Sequence, residues 1–72
     1  MELFESGVTY KFSKDKCKIY KDEEPWMDLI NDYIFTIPKN NGYTPYYFIN
    51  INLSHFYIMI MPQWCDRISR SI

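Results

Sequence analysis

Few residues in this chain could do chemistry, and their spacing is not that of a known site. His55, Cys65 and Asp66 are the residue types of a thiol nucleophile, its base and an orienting acid. Their spacing matches no local signature of a thiol enzyme. His55 falls in a polar reversal, where a histidine reads as a solvated turn residue. No catalytic residue is expected, and the chain is read as a non-enzyme. Zinc fares no better. A structural site takes four ligands, usually in paired C-x₂₋₄-C steps. Cys17, Cys65 and His55 are too few and too scattered to close a tetrahedron. The acidic residues Glu24, Asp28 and Asp32 would stand at i, i+4 and i+8 on a helix, a row of hard oxygens suited to a divalent cation. That segment lacks the glycine and alternating Asp/Asn of an EF-hand loop, so it reads as a solvated helix face. No metal and no cofactor are expected.

Two patterns carry more weight. The first is electrostatic. Residues 11–21 hold five lysines and one acid, while residues 22–32 hold five acids and no base. Lys11, Lys16 and Lys18 on one side of a hairpin, with Tyr20 among them, would make a stripe where cations track phosphates and a ring stacks on a base. That is the pattern of a single-stranded nucleic-acid reader. The acidic block beside it and a net charge of −1 oppose the reading, because neither draws a polyanion from a distance. The two blocks are expected to pair with each other instead, basic hairpin against acidic helix.

The second pattern is aromatic. Seven Tyr, five Phe and two Trp stand in 72 residues that contain no Ala. An aromatic side chain buries roughly 150–250 Å², so fourteen of them exceed what a small core accepts. Between residues 33 and 61 the one formal charge is Lys39. Protein interfaces are enriched in Tyr, Trp, Phe and Met and depleted in Lys, Glu and Asp, which describes this stretch. Tyr43, Tyr46, Tyr47, Phe48, Phe56 and Tyr57 are too many for one inner face. They are the expected interface of a small protein–protein interaction or regulatory module, one that self-associates as a homodimer. Nucleic-acid binding through the lysine-rich segment is the alternative. Absent Ala with abundant Ile, Tyr, Phe, Asn and Lys indicates an AT-rich coding sequence, a hint of a viral or phage accessory protein.

Length and composition set the frame for these patterns. Seventy-two residues make one domain with one core. Residues 1–7 carry no basic-then-apolar leader, and two distant cysteines do not make a secreted scaffold. Free thiols in a reducing cytoplasm are expected. The most apolar stretch, 46–61, is broken by Asn50, Asn52, Ser54 and His55, so no membrane span is expected.

The elements that must position these side chains follow from periodicity. Val8-Thr9-Tyr10-Lys11-Phe12 alternates with the period of a half-buried strand, placing Val8, Tyr10 and Phe12 on one face. Ser13–Lys16 reads as a polar turn and 17–21 as the returning strand of a hairpin. Asp22-Glu23-Glu24-Pro25 is a helix-start signal, and a short helix is expected over 24–31 with Trp26, Leu29, Ile30, Tyr33 and Ile34 along its apolar face. A strand over 33–37 follows. Asn41-Gly42 supplies a tight turn. Strands over 46–53 and 56–61 reverse at 52–55, with Tyr47, Ile49, Ile51 and Leu53 on one face and Tyr46, Phe48, Asn50 and Asn52 on the other. The tail from Pro62 reads as a short helix burying Trp64 and Ile68. The sum is an α+β domain, a small antiparallel sheet with one short helix. An SH3-like or OB-like small barrel is the alternative if the acidic segment is only a loop.

Overall fold

The computed structural model describes residues 2–40, 42–50 and 56–70, with the side chains of the last two left aside. It is a small α+β fold of short antiparallel pairings rather than a closed barrel. Strand β2 (Val8–Phe12) is the centre. Its strict alternation buries Val8, Tyr10 and Phe12 and leaves Thr9 and Lys11 half-exposed. On one side β2 pairs with β3 (Ile34–Thr36) and on the other with β7 (Cys65–Arg70), both antiparallel. Two ribbons complete the fold. Strand β1 (Phe4–Glu5) pairs with β4 (Tyr43–Thr44), and β5 (Tyr47–Asn50) pairs with β6 (Tyr57–Ile60).

The hairpin expected over 8–21 does not form. Ser13 instead caps a single helical turn, α1 (Lys14–Cys17), its side chain accepting from the Lys16 amide. The Cys17 amide donates to the Ser13 carbonyl at 3.0 Å, and Cys17 is buried. A serine followed by Lys-Asp-Lys is a helix-capping pattern, and it overrides five residues of weak alternation. Deprived of that hairpin partner, β2 takes β3 and the tail segment instead.

The tail is the second correction. Pro62–Trp64 is one 3₁₀ turn, and β7 follows it as a strand, not a helix. Its register against β2 skips Ile68, and this bulge leaves Ile68 exposed at 48%. Trp64 is buried as expected.

Helix α2 (Pro25–Leu29) starts where the acidic signal placed it, with Pro25 in its first turn. It is too short for the expected apolar stripe. Met27 and Ile30 are buried and Trp26 packs against the core, whereas Leu29, Tyr33 and Ile34 are exposed. Asp32 explains the break: its φ of 66° turns the chain, so Tyr33 and Ile34 leave the helical phase. Aspartate tolerates that left-handed conformation better than most residues. Gly42 sits at φ 69°, as the expected turn requires; Asn41 beside it lies outside the described residues. The reversal over 52–55, with Ile51, also lies outside them.

One core joins these pieces. Phe4 lies against Tyr10, Phe35 and Tyr47 with ring centroids 4.9, 5.6 and 6.3 Å away. Ile37, Ile49, Ile58 and Ile60 continue the cluster, and Phe12, Trp26 and Trp64 fill its other end. Among the described residues no helix is long and apolar enough to cross a membrane.

Candidate protein-docking face

The β5–β6 ribbon sorts its side chains by alternation. Tyr47, Ile49, Ile58 and Ile60 turn inward. Tyr47, one of the expected interface residues, stacks on Phe35 at 4.7 Å, nearly parallel, and is half-buried on the inner side. On the outer face Phe48 stands opposite Met59, and Asn50 opposite Tyr57. Tyr46, one residue before β5, meets Phe48 edge-on at 5.4 Å. The exposures are 45% for Tyr46, 52% for Phe48, 58% for Tyr57 and 43% for Met59. An apolar strip thus runs along the ribbon with no charged side chain within it. Phe56 is exposed at the start of β6, and Tyr43 is exposed on the separate β1–β4 ribbon.

Beside Tyr46 and Met59 the strip opens into a groove of about 230 Å³, also lined by Pro45, Met61, Gln63 and Glu2. Its floor is methionine and aromatic carbon. Gln63 turns its amide toward the Met61 sulfur at 3.7 Å, and Glu2 is the one charged side chain among the described lining residues. Sequence reasoning missed Met59 and Met61. The signal was present, since alternation through 56–61 puts both on the side of Tyr57.

The basic segment is organised differently. Lys14 Nζ lies 3.0 Å from Glu23 and 2.5 Å from Asp28. Lys18 reaches Glu23 at 3.2 Å, Lys21 reaches Glu24 at 2.7 Å, and Lys11 approaches Asp32 at 3.9 Å. Lys16 turns away to Asp66 at 2.7 Å. Hydrogen bonds from Lys14 and Lys18 hold the Glu23 carboxyl below the usual carboxylate range, and Lys21 does the same for Glu24. Asp28 and Glu23 in turn raise Lys14, and Asp66 raises Lys16. The two charge blocks do pair with each other. Lys11, Lys16 and Lys18 do not share a ribbon with Tyr20, because the hairpin that would align them is absent; Tyr20 is exposed in the turn after α1. Lys21 also lies over the rings of Trp26 and Trp64, 5.1 and 5.8 Å from their centroids.

The remaining candidates do not assemble. His55 lies outside the described residues. Cys65 is buried, its thiol donating to the Met61 carbonyl at 3.6 Å, and burial with the neighbouring Asp66 pushes its pKa up to about 12. A thiol so held stays protonated at neutral pH and is a poor nucleophile. Cys17 is likewise a buried free thiol raised by desolvation. Glu24, Asp28 and Asp32 each face a lysine, and no three potential metal ligands cluster among the described residues.

Comparison with protein-family models, curated proteins and solved structures finds no match to this chain.

Proposed function

We propose that this protein is a small interaction module that works by protein–protein contact through the outer face of the β5–β6 ribbon, and that it self-associates there. One observation carries the reading: Tyr46, Phe48, Tyr57 and Met59 lie on one sheet face, about half exposed, with no charge among them. At roughly 200 Å² per side chain, these four expose about 400 Å² per copy. That is within the range of the largest apolar patch on a typical monomer, a patch that is often functional. A two-fold contact covers such a face with its own copy, because an isologous interface sets the same surface against itself.

The lysine-rich segment does not support the nucleic-acid alternative equally well. Its cations are spent on Glu23, Glu24, Asp28, Asp32 and Asp66, so little net charge is left to displace counterions from a phosphate backbone.

Sedimentation or light scattering across the micromolar range tests the proposal. The wild type should associate, and Phe48→Glu, which removes a buried ring from each copy, should weaken association by at least about 100-fold, at roughly 1.5–3 kcal/mol per copy. A wild type that stays monomeric and soluble at high concentration would refute self-association.

A further inference from the structure

We infer that the groove beside the aromatic strip is the socket for Phe48 of a second copy, so that each chain offers one anchor and one socket. This rests on the self-association proposed above and adds its geometry. Size excludes one class of occupant. Pockets for drug-sized ligands run about 300–1,000 Å³, whereas this groove holds about 230 Å³, the scale of a single large side chain.

Chemistry narrows the occupant further. Met59 and Met61 line the groove with flexible thioethers, which adapt to a ring and make favourable sulfur–aromatic contacts. Tyr46 and Pro45 add flat carbon surface. An aromatic ring fits such a lining better than a charged or hydroxyl-bearing group.

Placement then selects the ring. Tyr46, though exposed, is itself a wall of the groove, which leaves Phe48 beside it; Met59 is its cross-strand partner, and Tyr46 meets it edge-on at 5.4 Å. A two-fold axis parallel to the ribbon face, lying in the interface and crossing the line from anchor to groove at its midpoint, carries each Phe48 onto the other copy's groove. Area argues that such an anchor is needed. Two strips of about 400 Å² bury some 800 Å² in total, short of the roughly 1,200–2,000 Å² of a stable interface. A flat contact of that size would be weak, and specific association depends on a central side chain seated in a pocket.

A charge exchange tests the socket. Phe48→Glu and Met59→Arg both fall at exposed positions, and circular dichroism establishes that each variant keeps its fold. Each alone should associate at least about tenfold more weakly than wild type. Mixed in equal amounts they should form a heterodimer, because one anchor–socket contact then sets Glu at position 48 against Arg at position 59 and the other stays native on the Phe48 side. Sedimentation of the mixture reads this directly. If the wild type associates but Met59→Arg associates equally well, or the mixture stays as weak as its components, the socket is wrong while the docking face stands. If the wild type does not associate, both fall.

Discussion

Residues 11–32 and the β5–β6 ribbon are built on opposite principles. In the first region lysines and carboxylates from separate turns close on one another, with Glu23 shared by Lys14 and Lys18 and Lys14 shared by Glu23 and Asp28. In the second, half the side chains build the core and the other half face outward uncharged, as Phe48, Asn50, Tyr57 and Met59. Apart from Lys16, which pairs with Asp66, the polar region has turned its charges on itself, and an approaching polyanion would have to displace a carboxylate for each lysine it engaged. The ribbon asks nothing to be displaced except water. A charged surface can therefore be the less adhesive one, and the count of lysines in a sequence is a poor guide to binding until their partners are known.

The sharpest break between the two sides of the ribbon comes from its inner neighbours. Phe4 is fully buried among Tyr10, Phe35 and Tyr47, so Phe4→Ala should cost about 3–5 kcal/mol in chemical denaturation. Phe48→Ala on the outer side should change the stability of the dilute, unassociated chain by no more than about 0.5 kcal/mol. Equal losses would mean that the outer ring is a core residue and that the ribbon has no free face.

A smaller effect is expected at the Gly42 turn before β4. Gly42 holds φ 69° with open space where a Cβ would stand, so strain there is conformational and not steric crowding. Gly42→Val should cost about 1–3 kcal/mol, and Gly42→Asn much less, since asparagine accepts the left-handed region. Equal urea midpoints for the two variants would show that the turn relaxes freely.

The smallest effect belongs to the charge network. Glu23 and Glu24 have folded-state pKa values below their unfolded ones, so their contribution is present above the unfolded pKa and is lost as pH falls through the folded value. Stability should decline below about pH 4.5, and added salt should lower it modestly at neutral pH because these groups are solvent-exposed. Denaturation midpoints over pH and salt measure both. A midpoint indifferent to acid and salt would mean the pairs are ornamental to the fold.

Much of this architecture could be read from the residues themselves. Alternation in 8–12 located the central strand and its buried face, and the Glu24-Pro25 step located the start of α2. The two ribbon strands and the α+β class also followed from pattern. The failures share a physical cause. Residues 17–21 and the tail are short segments of mixed preference, and tertiary pairing decided them: the Ser13 cap drew Cys17 into a helical turn, and β2's empty edge recruited the tail as β7. At the candidate site, Tyr46, Phe48 and Tyr57 were legible as surplus aromatics. Alternation already set Tyr47 on the face opposite Tyr46 and Phe48; that this face is the inner one, stacked on Phe35, came from the fold. The groove was not legible, because Glu2, Pro45 and Met61 converge only when three distant segments meet.

The tryptophan pair has a use of its own. Trp26 belongs to α2 and Trp64 to the turn before β7, yet their ring centroids lie 6.2 Å apart, with the Lys21 ammonium over both. Indole transitions at that separation couple, giving a paired band in circular dichroism that vanishes once the two segments part. The nearby positive charge also tunes the emission colour of the pair. Neither indole lies on the aromatic strip. The chain thus carries an optical gauge of the contact between α2 and the turn before β7, one that reads the joining of these two segments directly.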